Sequence, residues 1–299
     1  MRVTVGIPFH NAERTLADAI RSVFTQTFHD WELLLVDDAS TDRSLAVAKI
    51  VKDTRVRVHS DGRRRGLANR LNQIADLARG EFLARMDADD VMHPERLAKQ
   101  LDVLQGRTPA DLVASAAYML NDEDAPVGLR GADGVDLRLS VVLKRCPFVH
   151  PTVTAKTGWF RANRYDPDYP RAEDHELWCR TCQHLSAVHL LQPLLFYRQP
   201  SPSATAKFRE TYATDRKIVR AYGRPVGRLR AARFITASYC KTWVRSGAAL
   251  MGLRLPVLHD RRLTAEEQAV AVRDLRSVLV TPVPGFELKG DPYCSPIRS

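Results

Sequence analysis

The chain contains 299 residues, of which 44% are hydrophobic and 27% are charged, enough apolar material for one large α/β domain with or without an appendage. No run of about 18 apolar residues occurs, so no transmembrane helix is predicted, and the first residues lack the apolar stretch of a secretion signal. Five cysteines in a chain without a signal favour reduced thiols and a cytoplasmic protein.

The formal net charge of +10 belongs to one part of the chain. Residues 205–254 contain twelve basic residues and two acidic ones, so this segment alone accounts for the surplus. The other residues are balanced in charge. Any function that depends on positive charge is therefore expected in the C-terminal third.

The first hundred residues alternate short apolar runs with patterns of helical spacing. The predicted strands cover residues 3–7, 32–36, 56–58 and 82–86. The predicted helices cover residues 14–26, 43–51, 67–78 and 94–104. Because strands and helices alternate with short connections, we predict an α/β fold with a parallel, doubly wound sheet.

Three of the predicted strands end in polar residues, at 8–11, at Asp37-Asp38 and at 87–90. In parallel sheets of this kind, ligands bind beyond the carboxyl ends of the strands. The glycine fingerprint of dinucleotide-binding folds and the GxxxxGK[ST] phosphate loop are both missing. A bound nucleotide would therefore need another source of positive charge, and a divalent cation held by the aspartates of 87–90 would supply it.

The order of five motifs resembles that of the family 2 glycosyltransferases: IPFHNAERTL, VDDASTD, GLANRLN, ARGEF and RMDADD. The resemblance continues with HPTV from His150, AEDHELW from Ala172 and LLFYR from Leu194, and covers about residues 1 to 200. It implies the GT-A fold, a Rossmann-like, mostly parallel central sheet with flanking helices, here followed by a C-terminal helical extension.

The resemblance also implies a reaction and a division of the residues that it covers. Residues 1–105 would bind the nucleotide-sugar, and 106–204 would bind the acceptor and carry the catalytic base. Residues 205–299 lie beyond the resemblance, and their charge and helical pattern predict a basic helical extension. The reaction implied is an inverting, metal-dependent transfer of a sugar, from a UDP-sugar donor, to a glycan or lipid-linked acceptor in cell-surface polysaccharide synthesis.

Site residues follow from the same resemblance. Asp38 matches the aspartate that accepts a hydrogen bond from the nucleotide base, and Pro8 and His10 match the turn that lines the base and ribose. Asp87 and Asp89 match the D-x-D pair that holds Mn²⁺ or Mg²⁺ with the donor's diphosphate, and of the two Asp89 is favoured as the direct ligand. That ion would stabilise the departing diphosphate as a Lewis acid.

Asp174 matches the general base that deprotonates the acceptor hydroxyl as it attacks the anomeric carbon. Glu173 is expected to hold the neighbouring loop or a sugar hydroxyl, and His150 to contact substrate. Two positions depart from the family pattern: His10 stands where tyrosine is common, and Ala39 where glycine is usual. The first still offers a ring for stacking, and the second leaves the carboxylates in place.

Other interpretations of these features remain open. The acidic clusters could be solvated turns or helix caps. A nucleotidyltransferase would combine an α/β sheet with acidic metal ligands, but its glycine-rich basic loop is missing after the first strand. A nucleic-acid-binding protein would explain the basic pI, yet the aspartates and the arginines lie in different regions, so we expect no nucleic-acid partner.

Two features of the second half of the chain have competing explanations. Cys179 and Cys182 suggest zinc, with His175 and His184 nearby, but one helix from Leu177 to Leu185 would make both cysteines small apolar residues. The helix predicted for residues 228–251 has an apolar stripe flanked by basic residues, which would either pack on the catalytic domain or meet an anionic membrane peripherally at its inner face. The predicted stripe consists of Leu229, Ala232, Ile235, Tyr239, Trp243 and Leu250.

Overall fold

The N-terminal strands are buried on both faces, as their continuous apolar runs require. Every residue of β1 (Val3–Phe9) and β2 (Trp31–Asp37) is buried. β1 pairs in parallel with β2 and with β4 (Phe82–Arg85), and β2 pairs in parallel with β3 (Val56–Ser60). The predicted parallel sheet is therefore confirmed for this part of the chain.

The computed structural model describes residues 1–106, 110–198, 205–250 and 261–286, except for the side chains of 205–209 and 249–250. The helices of these ranges are α1 (Leu16–Phe24), α2 (Ser44–Lys49), α3 (Leu67–Leu77), α4 (Arg96–Leu104), α5 (Leu139–Val142), α6 (Thr157–Ala162), α7 (Glu173–Thr181), α8 (Thr205–Tyr222), α9 (Arg228–Leu250) and α10 (Ala265–Leu279). No described helix is long and apolar enough to cross a membrane.

The remaining strands are β5 (Val91–Met92), β6 (Leu112–Leu120), β7 (Pro126–Arg130), β8 (Thr154–Lys156), β9 (Ala187–Arg198) and β10 (Arg261–Arg262). They extend the sheet in the order β10-β7-β6-β8-β4-β1-β2-β3. β8 joins the two halves by pairing antiparallel with both β4 and β6. β9 pairs in parallel with β6 and antiparallel with β5, which places the segment after β4 against the end of β9.

Two apolar layers cover the two faces of the sheet. Alternate residues of β2 divide between them, because successive side chains of a strand point to opposite faces: Leu33 and Leu35 join one layer, Leu34 and Val36 the other. Helices α1, α2 and α4 complete the first layer, and helices α3, α6 and α7 complete the second. The α/β class with flanking helices is thus confirmed.

The described helices of the C-terminal third pack on different parts of the domain. α8 packs on α7 and α9 packs on α8, whereas α10 returns to α1 and β7 on the opposite layer. After α10, Val283 and Phe286 enter the apolar layer of the N-terminal half. The described part of the predicted extension, residues 205–299, therefore contacts both layers, and the division at residue 205 stays a prediction.

The face of α9 that packs on the domain is not the apolar stripe predicted from the sequence. Ala231, Phe234 and Ile235 pack against the apolar layer of α7 and α8, whereas Leu229 is 82% and Trp243 is 77% exposed. Of the predicted stripe, Ile235 is packed, Ala232 and Tyr239 are exposed as well, and the side chain of Leu250 lies outside the described residues. The packed face lies about a third of a turn away, because α9 carries apolar residues on two faces.

The helix predicted over Leu177 to Leu185 begins earlier, at Glu173, and ends at Thr181. Cys179 and Cys182 are both buried and free. Neither belongs to a described group of three side chains that could hold a metal ion. The structure therefore supports the packing interpretation of these cysteines.

Candidate active site

Asp38 holds the loop before α3. Its carboxylate accepts hydrogen bonds from the backbone amides of Arg65 (2.6 Å) and Gly66 and from Nε of Arg70 (2.9 Å). Burial alone would raise the pKa of Asp38, but these three donors lower it. Among the described residues, Oδ2 accepts just the shared bond from Gly66 (3.1 Å), so it has a lone pair left for a ligand.

His10 lies beside Asp38 at the end of β1. Its Nδ1 is 2.9 Å from the carbonyl oxygen of Asp38, and its Nε2 is 2.5 Å from Nη1 of Arg64. The arginine can only donate, so Nε2 accepts and Nδ1 carries the proton. The ring is therefore held by both nitrogens.

Pro8 departs from its predicted place in the turn. It is a buried strand residue paired with Val36 of β2, so its ring does not line an open site. The sheet tolerates it because the pairing of β1 with β4 ends at Gly6, where no neighbour on that side requires an N–H from residue 8.

The aspartates after β4 converge on one point. Asp87, Asp89 and Asp90 each offer an oxygen, and these oxygens lie within 4.8 Å of one another. Although Asp89 reaches the surface, the surrounding protein and the Asp87 carboxylate raise its pKa to about 6. Burial and the carboxylates of Asp89 and Asp87 raise the pKa of Asp90 well above its usual value.

Asp90 completes the fit of this cluster to a divalent cation. Its Oδ1 accepts from the backbone amide of Arg198 at 3.0 Å, whereas Oδ2 is buried without a hydrogen-bond partner in the described chain. A buried carboxylate oxygen with no donor is costly unless a cation or a proton meets it. Three hard oxygen ligands of this kind suit Mg²⁺ or Mn²⁺.

The side chain of Arg198, the last residue of β9, anchors the aspartate loop. Its guanidinium donates to the carboxylates of Asp124 (2.6 Å) and Asp18 (3.0 Å) and to the carbonyl oxygen of Asp89 (3.0 Å). Residues from α1, β9 and the loop before β7 thereby fix the backbone that presents the cluster. Arg198 stands in the LLFYR motif, but its partners are too distant in the chain for the sequence to name them.

Arg85 lies between this cluster and a second one. Both of its Nη atoms bind the Asp87 carboxylate at 2.7 Å and form a bidentate pair. The side chain of Arg85 is only 4% exposed. The same guanidinium lowers the pKa values of Glu173 and Asp174 relative to burial alone. Sequence analysis did not identify Arg85, because a basic residue at the end of an apolar strand has no distinctive spacing.

The second cluster stands at the start of α7. One ligand-type atom each of Glu173, Asp174 and His150 lies within 4.8 Å of the others. The helix N-terminus favours negative charge at the two acids, yet burial and the Asp174 carboxylate raise the pKa of Glu173 to about 7. Burial also raises the pKa of Asp174.

His150 is neutral and faces Asp174. Burial and the nearby Arg85 charge lower the pKa of His150 well below its usual value. Its Nε2 is 2.8 Å from the hydroxyl of Tyr165, and its Nδ1 is 3.9 Å from Oδ2 of Asp174. When the tyrosine hydroxyl donates to Nε2, the proton of the ring lies on Nδ1 and points towards the carboxylate.

Asp174 has two further neighbours. Its Oδ1 accepts from the backbone amide of His175 at 2.8 Å, and Sγ of Cys146 lies 3.7 Å from Oδ2. The structure thus brings Asp87, Asp89 and Asp90 together on one side of Arg85, and His150, Glu173 and Asp174 on the other. The residues that sequence analysis missed are Arg85 and Tyr165, together with the contacts of Arg198.

Solved structures with this architecture bind nucleotide-sugars. S. aureus TarS 1-349 in complex with UDP-GlcNAc matches 94% of this chain and 82% of its own, with a TM-score of 0.62 and 16% identity. The mannosyltransferase PcManGT from Pyrobaculum calidifontis, in complex with GDP-Man and Mn²⁺, matches 93% and 86%, with a TM-score of 0.58 and 18% identity. The fold is that of the GT-A glycosyltransferases.

The chain belongs to glycosyl transferase family 2, whose family model matches residues 4–152. It is 30% identical over 226 residues to EpsE of Bacillus subtilis (strain 168), covering 73% of this chain and 80% of that protein. It is 32% identical over 211 residues to the Escherichia coli protein named UDP-Glc:alpha-D-GlcNAc-diphosphoundecaprenol beta-1,3-glucosyltransferase WfgD, covering 70% and 81%. The protein is a glycosyltransferase, as the motif order predicted.

Proposed function

We propose that the protein transfers a sugar, with inversion, from a UDP-sugar to a glycan or lipid-linked acceptor in polysaccharide synthesis, with the help of Mn²⁺ or Mg²⁺. The observation that carries this proposal is the pair of acidic clusters on either side of Arg85. One cluster has the ligands for a cation that neutralises a diphosphate, and the other has a carboxylate beside a neutral histidine. The lipid-linked alternative draws on the relative WfgD, which is named for transfer to a diphosphoundecaprenol-linked sugar.

The nucleotide would lie across the ends of β1 and β2. Oδ2 of Asp38 can accept an N–H of the base, and the ring of His10 can stack on it. Asp87, Asp89 and Asp90 would hold the cation, which supplies Lewis-acid stabilisation of the diphosphate when bound. The Asp87 carboxylate also binds the Arg85 guanidinium. The buried positive charge of Arg85 would therefore lie next to the cation.

Asp174 would be the general base. Its carboxylate takes the proton of the acceptor hydroxyl as the oxygen bonds to the anomeric carbon and the bond to the nucleoside diphosphate breaks. The dipole of Nδ1–H of His150, 3.9 Å from Oδ2 of Asp174, would stabilise the charge of that carboxylate. Glu173 would remain protonated beside it for part of the neutral range, because both acids cannot ionise cheaply at such short distance.

The deciding experiment is a panel of nucleotide-sugars. The purified protein is incubated with UDP-, GDP- and dTDP-sugars and Mn²⁺, and both donor hydrolysis and the thermal midpoint are measured, with EDTA as the matched control. We expect hydrolysis and a raised midpoint with one or more UDP-sugars, both lost in EDTA. A response confined to GDP- or dTDP-sugars would correct the nucleotide, and a response that is equal in EDTA would refute the metal site.

A further inference from the structure

The outer face of α9 carries an apolar strip among basic residues. Leu229 is 82%, Trp243 is 77% and Val244 is 63% exposed, and Tyr239 is 44% exposed at the edge of the strip. The positions of Leu229, Trp243 and Val244 place them on the side of the helix opposite Ala231, Phe234 and Ile235, which pack inward, whereas the Tyr239 ring carries the Arg216 guanidinium at 4.1 Å. We call the exposed set, with the exposed Cys240 between them, the α9 outer face.

The charge around this face has one sign. Residues 216–259 contain ten basic residues and no acidic one. On α9 itself Arg228, Arg230, Arg233 and Lys241 are exposed, and none of the ion pairs found within the described ranges involves them. In the described fold, both the exposed apolar side chains and these charges lie in water. A helix whose only role is to pack on its own domain would need neither.

We propose that the α9 outer face docks on an anionic phospholipid membrane. An interfacial helix places its apolar residues at the boundary of headgroups and acyl chains, with tryptophan and tyrosine at the headgroup level and basic residues around them. A surface of one positive sign complements anionic lipid. With 23 residues, α9 would lie about 35 Å along such a surface.

Docking through the α9 outer face would also orient the candidate active site relative to the membrane. α8, on which α9 packs, is tied to α7 by His175 Nδ1 with Asp215 (3.0 Å) and by the hydroxyl of Tyr222 with Glu176 (2.6 Å). Asp174 lies in the first turn of that same α7. The membrane would thus hold the proposed base at a fixed orientation to lipid-linked acceptors; this consequence rests on the proposed function, whereas the docking itself does not.

Vesicle binding tests the proposal directly. The full chain is mixed with phosphatidylcholine vesicles containing 30% phosphatidylglycerol, and sedimentation and tryptophan emission are measured in 0.1 M and 0.5 M NaCl. Trp31 and Trp178 are buried and Trp159 is partly buried, so Trp243 is the exposed tryptophan of the chain. We expect binding at low salt that falls at least tenfold at high salt, with a blue shift of emission.

Two sets of variants separate charge from apolar contact. Changing Arg228, Arg230 and Arg233 together to glutamate should weaken binding at least about a hundredfold, since each basic residue near an anionic surface strengthens it about fivefold. Trp243→Ser should weaken binding about tenfold and abolish the blue shift. The controls carry the same changes elsewhere, at Lys49, Lys156 and Arg262 for charge and at Leu191→Ser for an exposed apolar residue.

Several outcomes would overturn the proposal. Wild-type protein that stays in the supernatant at low salt has no such docking surface, and equal losses in the control variants would mean non-specific attraction. If the Trp243 contribution, taken as wild type minus Trp243→Ser, is already blue-shifted without vesicles, the α9 outer face is already covered, and sedimentation velocity would then test whether a second copy is the occupant. Vesicle binding without nucleotide-sugar hydrolysis would refute the proposed function and leave the docking intact.

Discussion

The two acidic clusters beside Arg85 have similar composition but different neighbours. Asp87, Asp89 and Asp90 come from one loop, and their oxygens crowd together with Arg85 and a backbone amide as partners. Glu173 and Asp174 come from a helix start and face a neutral histidine. Burial raises the pKa of an acid in each, yet only the first set leaves a buried oxygen without a donor.

This difference separates two ways to manage crowded carboxylates. Under the proposed function, the first cluster would be relieved by an added cation, which turns repulsion into binding energy. The second would be relieved by a proton, which one acid holds while the other stays ionised. A metal site and a base site can therefore be built from the same residue types a short distance apart, provided that their neighbours differ.

Removing the base should have the largest effect. Asp174→Asn keeps the shape of the side chain but cannot accept a proton, so turnover should fall by about 10²- to 10⁴-fold while donor affinity stays within about twofold. Transfer rates and UDP titrations measure the two quantities, with Asp168→Asn as an exposed control in the preceding loop. Full activity in the Asp174 variant would assign the base to Glu173 or to another group.

Breaking the first cluster should act on binding instead. Asp89→Asn removes one proposed ligand, and the gain in UDP affinity that Mn²⁺ provides should shrink by about 10- to 100-fold. Calorimetry with Mn²⁺ and with EDTA measures that gain, and Asp122→Asn serves as the exposed control. If the gain is unchanged in the Asp89 variant, the three aspartates do not hold the cation.

These clusters also mark what the sequence can predict. The strands of residues 1–105 and the motif aspartates follow from local apolar runs and from the motif order, because each depends on residues close in the chain. Arg85, Tyr165 and Arg198 could not be found in this way. Their roles depend on partners such as His150 for Tyr165 and Asp18 for Arg198, and no local spacing encodes those contacts.

The orientation of α9 and the path of α10 were also beyond the sequence. α9 has apolar residues on two faces, so periodicity allows two stripes and only the surface of α7 and α8 selects one. The segment after α10 returns to the N-terminal half, where the backbone amide of Lys52 donates to the carbonyl of Pro284 at 2.7 Å. Tertiary contacts of this kind follow from the whole fold rather than from a motif.

The protonation of the second cluster should appear in stability. The folded-state pKa of Glu173, about 7, lies above the value near 4.3 of an unfolded chain. Between these values the folded state holds a proton that the unfolded state has lost, so the free energy of unfolding should fall as pH rises from about 4.5 to 7.

Glu173→Gln removes this titration. In EDTA, the decline in stability between pH 5 and pH 7.5 should be about 1–2 kcal/mol smaller in the variant than in the wild type. Urea unfolding at each pH gives the difference, and the exposed Glu123→Gln should follow the wild-type curve. Parallel curves for wild type and the Glu173 variant would mean that Glu173 is ionised throughout this range.

The smallest expected effect lies in the loop that presents Asp38. Ala39 has a φ of +57°, the left-handed conformation that disfavours a side chain. Ala39→Gly should relieve that strain and raise the free energy of unfolding by about 0.5–1 kcal/mol, after the added flexibility of the unfolded chain is deducted. The exposed Ala46→Gly within α2 should instead lower it by about 1 kcal/mol. Urea titrations of both variants give the two signs, and loss of stability in the Ala39 variant would show that its methyl group contributes more by packing than its backbone costs in strain.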